Sequence, residues 1–197
     1  MYTFLKEFGA PSIDFLYRDG NHSQLPGGKA SAWSTEYGLW LSRLLDIYLT
    51  DPTPIPIRIL DDMIKLMLGG SSTKEGMGAT DFGIIIIDAD GSIRKNDTLK
   101  SAFHGADRFE RPWSVHTHQL TEVVHTPEFA TYYALQRPTA ATCLACPELG
   151  ICGGGMPVNR WKDDNGYDNP SVYCADQLLL IGHMRNRLAT LLSACRI

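Results

Sequence analysis

The chain has 197 residues, of which 44% are hydrophobic and 20% charged, and its formal net charge at pH 7 is −4. This balance is typical of a globular chain that buries roughly 70% of its unfolded surface. It excludes a nucleic-acid-binding protein that works through a basic stripe, and no run reaches the length of an apolar membrane span. The N-terminus has no secretory signal pattern and the C-terminus no lipidation motif, so we expect a cytoplasmic protein without a membrane partner.

The chain opens with a short strand and a polar turn. Ile13–Tyr17 has the composition of a strand, and the turn that follows it contains Asn21 and His22. In an α/β unit, the loop at the carboxyl end of a strand is where ligand contacts gather. These two residues are therefore candidate site residues, and the alternative is a solvated turn.

A first amphipathic helix is predicted next. Ser34 or Thr35 is the expected N-cap, and Asp51-Pro52 ends the pattern. Apolar residues recur at helical spacing between these limits: Tyr37, Trp40, Leu41, Leu44, Leu45 and Tyr48.

A second helix is predicted after an extended piece at Ile55–Leu60. Asp61 is the expected N-cap, and Gly69-Gly70 ends the helix. Residues 71–81 then form a loop long enough to be mobile or to cover another part of the molecule. The inward-facing positions of the helix are Met63, Ile64, Met67 and Leu68.

A β-hairpin follows. Phe82–Ile87 is rich in β-branched residues and is expected to be buried on both faces, Asp88–Gly91 is the turn, and Ser92–Lys95 is the return strand. The aspartates of the turn do not form an EF-hand calcium loop. Such a loop has glycine at position six and glutamate at position twelve, and here these positions hold Ile93 and Leu99.

The second half of the chain is predicted to be mainly helical. His116 and His118 alternate as on one face of a strand, but no third metal ligand lies near them in the sequence. Thr126-Pro127-Glu128 starts a helix that Arg137-Pro138 ends. After a polar loop, Asn169-Pro170 is expected to cap a last helix that packs on the hairpin or on structure outside this chain. Its apolar stripe is Leu178, Ile181, Met184, Leu188, Leu191 and Leu192.

Cysteines dominate the segment between these helices. Four have the spacing C-x2-C-x5-C with a distant fourth: Cys143, Cys146, Cys152 and Cys174. Sulfur donors in this pattern favour an iron–sulfur cluster or zinc. Gly153–Gly155 allows the backbone N–H groups to approach the sulfur atoms. Cys174 is expected in the first turn of the last helix, where the dipole favours a thiolate, and Cys195 is interpreted as an ordinary semi-buried thiol.

Two other uses of the cysteines remain open. Two disulfides with one spare thiol would also use five cysteines, although the chain has no secretory signal and is long enough to fold without cross-links. Structural zinc is the other alternative. Zinc ribbons usually present two C-x2-C pairs, and this sequence has one.

The sequence resembles the SPASM domain, the auxiliary-cluster module at the C-terminus of radical SAM peptide maturases. Four segments resemble the subgroup that forms three-residue cyclophanes in ribosomally made peptides: the cysteine and glycine run at 143–155, the segment 168–174, the hairpin 88–100 and the strand 13–22. The resemblance implies an α+β fold. Residues 1–80 would form the last βα part of a partial (β/α) barrel, and residues 81–197 a SPASM-like iron–sulfur domain with a β-hairpin and a C-terminal helix.

The sequence departs from the family pattern in two ways. Met156 stands where the broad pattern has a further cysteine, and residues 1–142 contain no cysteine for another auxiliary cluster, so at most one cluster is expected. The C-x3-C-x2-C motif that holds the catalytic cluster of radical SAM enzymes is also missing. The chain is therefore expected to be a truncated product or one half of a split enzyme.

The resemblance implies a role for the four cysteines and for two partners. Cys143, Cys146, Cys152 and Cys174 would hold one auxiliary [4Fe–4S] cluster that accepts an electron and supports the peptide channel. The substrate would be a precursor peptide. An N-terminal barrel half would bind S-adenosylmethionine, which this chain is not expected to cleave alone. No catalytic residue is predicted. The alternatives are an independent electron-transfer or adaptor protein and a structural zinc module.

Overall fold

Helices dominate the computed structural model, which describes residues 1–79 and 83–194. A small antiparallel sheet lies between the third and fourth helices, so the α+β class is confirmed. The helices are α1 (Tyr2–Lys6), α2 (Glu36–Thr50), α3 (Arg58–Met67), α4 (Leu120–Val124), α5 (Pro127–Ala134), α6 (Ala141–Leu144), α7 (Leu149–Cys152), α8 (Pro157–Arg160) and α9 (Cys174–Ala194). The strands are β1 (Ile86–Ile87), β2 (Ser92–Arg94) and β3 (Trp113–Ser114), with a 3-10 turn at Asp97–Ser101.

The predicted strand at Ile13–Tyr17 is reduced to one parallel bridge between Ile13 and Ile57. The Ile13 N–H donates to Pro56 O at 2.9 Å, and the Arg58 N–H donates to Ile13 O at 2.9 Å. Within the described chain, the rest of this segment makes no strand pairing. It therefore leaves backbone groups free for another strand.

Two helices begin with help from distant carboxylates. The expected N-cap of α2, Thr35, is confirmed, but its side chain makes no capping bond, and the Gly38 N–H donates to Asp176 Oδ1 at 2.8 Å. Helix α3 begins at Arg58, so the extended piece predicted at Ile55–Leu60 ends at Ile57, and the predicted helix start after Asp61 is wrong. The reason is that Asp14 Oδ1 accepts the Ile59 N–H at 3.1 Å and stabilises an earlier first turn.

The main core joins α2, α3 and α9. Helix α9 packs along α2, so the prediction that its stripe meets the hairpin is wrong, and Leu191 and Leu192 at its end are exposed. The core also includes Met77 and Ile151, which lie on opposite sides of the predicted domain boundary after residue 80. The division into two domains at that boundary stays a prediction. The buried core residues are Tyr2, Leu41, Leu44, Leu45, Ile57, Ile59, Leu60, Met63, Met77, Ile151, Leu180, Ile181 and Met184.

Helix α5 begins as predicted, whereas α9 does not. The Thr126 hydroxyl accepts the Phe129 N–H at 3.1 Å, with Pro127 as the first helical residue. Helix α9 begins at Cys174, so Asn169-Pro170 is not its cap. The Asn169 amide instead donates to Arg160 O at 2.9 Å and to Gly166 O at 3.1 Å within the preceding loop.

The hairpin is present but shorter and less buried than predicted. β2 is the central strand, and Ile87 pairs with Ile93 while Ser92 pairs with Ser114. Ile87 is 50% exposed, so burial on both faces is wrong for the end of β1. Phe82 lies outside the described residues.

The two candidate histidines do not lie on a strand. β3 ends at Ser114, and both residues follow in a turn. The His118 ring contacts the Thr117 hydroxyl at 2.9 Å and Arg111 at 3.1 Å. The predicted placement of His116 and His118 on one strand face is therefore wrong. In the part of the chain that the structure describes, no helix is long and apolar enough to cross a membrane.

Candidate metal centre

Two short helices present the first three cysteines. Cys143 lies in α6, and the Cys146 N–H donates to Cys143 O at 3.0 Å, so the C-x2-C spacing closes a tight turn. Cys152 is the last residue of α7. Gly153 follows with φ of 67°, and its N–H donates to Leu149 O at 2.8 Å, which ends the helix.

The fourth cysteine comes from a distant part of the chain. Cys174 is the first residue of α9, which confirms its expected place in the first turn of the last helix. Its N–H donates to Ser171 O at 2.8 Å, and the next N–H groups of α9 point toward this end of the helix. All four cysteines are free thiols, and Cys195 lies outside the described residues.

The thiols share one electrostatic environment. Burial, with smaller contributions from negative charge on Cys174, Cys143 and Cys146, raises the pKa of Cys152 to about 12. Burial also raises the pKa values of Cys143 and Cys174, with smaller contributions from their cysteine neighbours. Within the described residues, no three His, Cys, Asp or Glu side chains form a group that fits a metal ion.

The donor set nevertheless has the chemistry of a soft-metal site. Four free thiols act on one another, one of them buried and three partly buried, and the backbone of Gly154 lowers the pKa of Cys152 against the effect of burial. Sulfur donors are the ligand type that an iron–sulfur cluster or zinc takes, so the residue types suit such a group. The Cys152 thiol also donates to Gln177 Oε1 of α9, so α7 and α9 meet at the site.

A loop that contains Gly76 and Gly78 packs against residues 143–156, which are called the ligand loop here because they carry three of the candidate metal ligands. The Gly78 N–H donates to Ile151 O at 3.0 Å. A Cβ on Gly153 would lie 2.6 Å from Gly78 O, and a Cβ on Gly76 would lie 2.7 Å from the Met156 nitrogen. The loop at 71–79 therefore covers the ligand loop backbone to backbone. The sequence signal for this packing was the pair of glycines at 76 and 78.

A buried arginine borders the cysteines, and the sequence pattern did not reveal it. Arg160, at the end of α8, is 1% exposed. Burial lowers the pKa of its guanidinium to about 10, while the neighbouring Cys143 thiol acts in the opposite direction. The group therefore keeps its positive charge at neutral pH. In the sequence, Arg160 belongs to no motif that would distinguish it from a surface arginine.

An apolar cleft runs beside the core. The segment Phe15–Tyr17 lines a cavity of about 610 Å³ together with Tyr37 and Trp40 of α2. The same segment lines a second cavity of about 260 Å³ that extends to Met156 and Gln177 beside the ligand loop. The two cavities are therefore adjacent along Phe15–Tyr17, and the second one borders residues next to the cysteines.

The sequence matches no protein-family profile and no curated protein. Solved structures, however, have a similar fold. One is native anSMEcpe with bound AdoMet, an anaerobic sulfatase-maturating radical SAM enzyme, at 19% identity and a TM-score of 0.74 over 100% of this chain. Native anSMEcpe with bound AdoMet and Cp18Cys peptide gives 18% identity and a TM-score of 0.72 over 96% of this chain, and the corresponding complex with Kp18Cys peptide gives 18% and 0.74.

This chain covers 52% of each of those three chains. It shares its fold with about half of such an enzyme. This similarity confirms that the chain shares its fold with part of a radical SAM enzyme, as the resemblance in sequence implied. It concerns the fold alone. It does not distinguish the cyclophane subgroup.

The two candidate residues of the first turn hold segments together. Asn21 is buried, its Nδ2 donates to Ser101 O at 2.7 Å, and its Oδ1 accepts the Ser23 and Gln24 N–H groups. The His22 ring contacts Pro170 O at 2.7 Å. The interpretation of a solvated turn is therefore wrong for Asn21. Both side chains connect the start of the chain to its second half.

Proposed function

We propose that this chain is the cluster-bearing portion of a radical SAM enzyme that cross-links residues of a ribosomally made peptide. The observation that carries the proposal is that four free thiols from two distant segments, one buried and three partly buried, act on one another. It occurs in a chain whose fold matches about half of a radical SAM enzyme. Cys143, Cys146, Cys152 and Cys174 are proposed to hold one [4Fe–4S] cluster.

The chain's own residues would shape this site in three ways. The four thiolates would occupy every iron, so the substrate would not bind the metal directly. The Gly154 N–H would donate to the Cys152 sulfur, and burial of Cys143 would keep water from that side. When bound, the cluster would supply a one-electron acceptor.

The proposed substrate is a peptide. The cavity along Phe15–Tyr17 is lined mainly by apolar side chains, Trp40 among them, together with the charged residues Asp14, Arg18 and Glu36. Two of the similar structures were solved with peptides. In the proposed cross-link a hydrogen atom would pass from a Cβ to a 5′-deoxyadenosyl radical supplied by the barrel half, and the carbon radical would bond to an aromatic ring. The ring would then lose one proton to solvent and one electron to the bound cluster. Support for this subgroup comes from the segments 13–22, 88–100 and 168–174.

The proposed partner is an N-terminal barrel half with a C-x3-C-x2-C loop that binds S-adenosylmethionine. It would cover residues 13–48, where the chain leaves strand groups free and large apolar side chains exposed. Leu16 is 77% exposed, and Leu39 and Trp40 on α2 are also exposed. Such an apolar surface favours association with another protein surface.

The test compares the chain alone with the chain plus a barrel partner. With dithionite and S-adenosylmethionine, the chain alone should release no 5′-deoxyadenosine, whereas the pair should release it and convert a precursor peptide to a product that has lost two hydrogen atoms. Without its partner the chain should self-associate on a sizing column. S-adenosylmethionine cleavage by the chain alone would contradict the proposal, and a monodisperse monomer would favour an independent electron-transfer or adaptor protein.

A further inference from the structure

We propose that a cavity beside helix α5 binds a cationic side chain of a peptide, lysine or arginine. This α5 cavity has a volume of about 460 Å³ and is lined by residues of the segment 95–110, by α5 and Leu135, and by Tyr167. None of the described residues that line it also lines the cavities along Phe15–Tyr17. The inference rests on the proposed function in one respect, because the side chain would belong to the proposed peptide substrate.

The floor of the α5 cavity is apolar. Leu99, Ala106 and Tyr132 are buried and pack together, and Tyr167 packs against them. The Tyr132 hydroxyl accepts the Asn96 N–H at 3.1 Å, so it is already engaged within the protein. Such a floor suits the methylene stem of a long side chain, which is apolar up to its charged end.

An aromatic wall stands beside this floor. Phe103 is 47% exposed and lines the cavity together with Tyr167. The Trp161 ring contacts both, with its centroid 4.7 Å from that of Phe103 and 4.8 Å from that of Tyr167. The wall is therefore held in place before a ligand arrives. Aromatic faces attract cations, and this attraction grows as the cation leaves water.

The charged side chains that line the cavity do not balance. Lys95 Nζ pairs with Glu128 Oε1 at 2.8 Å, and both Glu128 oxygens accept the Glu110 N–H, at 3.1 and 3.2 Å. In the described part of the chain, the Glu110 carboxylate itself has no ion pair or hydrogen bond, and the residue is exposed. One negative charge is thus left over, and a cation with an apolar stem complements it.

The position of the α5 cavity favours a peptide over a small amine. The 3-10 turn Asp97–Ser101 separates it from the cavity of about 260 Å³, because Thr98 lines that cavity and Leu99 lines this one. A peptide bound along Phe15–Tyr17 therefore has to cross only one turn to place a side chain here.

Saturation-transfer NMR on the full chain tests the inference, since this method detects weak binding and tolerates self-association. The probes are blocked tripeptides with lysine, arginine or norleucine between two glycines, and norleucine provides the stem without the charge. We expect the lysine and arginine peptides to bind about fivefold more tightly than the norleucine peptide, in keeping with an exposed ion pair and a cation–π contact.

Two variants locate the binding site. Glu110→Gln should remove most of the preference for charge, and Phe103→Leu should reduce it. Glu7→Gln is the matched control, because Glu7 is another exposed carboxylate and does not line the cavity. This control should leave all three affinities unchanged.

Equal affinities for the lysine and norleucine peptides would overturn the inference, as would a preference for charge that Glu110→Gln leaves intact. Equal affinities for n-butylamine and the lysine peptide would overturn the assignment to a peptide in favour of a small amine. These titrations need neither a cluster nor a barrel partner. Failure of the chain to bind iron would therefore refute the proposed function and leave the result at the α5 cavity standing.

Discussion

Substitution of Gly153 by alanine tests how the ligand loop is built. Gly153 has φ of 67°, a conformation that costs a residue with a Cβ about 1–2 kcal/mol. The new Cβ would also lie 2.6 Å from Gly78 O, and overpacking of this kind costs about 1–3 kcal/mol. We therefore expect Gly153→Ala to lower the free energy of unfolding of the metal-free protein by about 2–5 kcal/mol.

Urea denaturation of the metal-free protein measures this change, and iron content after reconstitution measures its effect on the site. Gly150→Ala is the matched control in the same short segment. Its Cβ would meet no atom within 4 Å, and its φ is not positive, so stability should rise by up to about 1 kcal/mol. We also expect Gly153→Ala to load less iron than Gly150→Ala. Equal stability and equal iron content in the two variants would refute the packing of the loop at 71–79 on the ligand loop.

Three further changes test the surroundings of the site. Asp176→Asn leaves Lys29 buried without its ion-pair partner, and urea denaturation should show a loss of about 3–5 kcal/mol. Tyr17→Phe removes a buried hydroxyl that has no partner in the described chain, so thermal stability should be unchanged or rise, by up to about 3 kcal/mol, and a clear loss would contradict this. Burial raises the pKa of Cys152 from 9.0 to about 12, so the folded state holds this proton more tightly than the unfolded state. Stability of the metal-free protein should therefore fall between pH 9 and 12, by about 1.4 kcal/mol per pH unit from this group, and Cys152→Ala should reduce the slope.

Local signals in the sequence were enough where neighbouring residues define an element. The start of α5 follows from Thr126 and Pro127. The extent of α2 follows from its apolar period and from Asp51-Pro52, directly after its last residue. The same local logic placed Cys174 in the first turn of α9. It misplaced the helix cap, because Asn169 bonds within its own loop.

Features that depend on distant contacts were not predictable in this way. Helix α3 begins early because Asp14, far away in the sequence, accepts an N–H of its first turn. The cover of the ligand loop depends on Gly78, which only folding brings to Gly153. The buried Arg160 guanidinium is held by carbonyls of Leu135 and Arg137, which precede it by more than 20 residues. None of these contacts leaves a periodic or capping pattern in the sequence.

The most direct measurement of the central proposal is the iron and sulfide content of the anaerobically reconstituted chain, together with its visible absorbance. We expect a brown protein with close to four iron and four sulfide per chain, in keeping with one cluster held by four thiolates. Cys146→Ala and Cys174→Ala should lose most of both, whereas Cys195→Ala should keep them. A colourless protein that holds one zinc ion, or equal losses from Cys195→Ala and Cys174→Ala, would contradict the proposed ligand set.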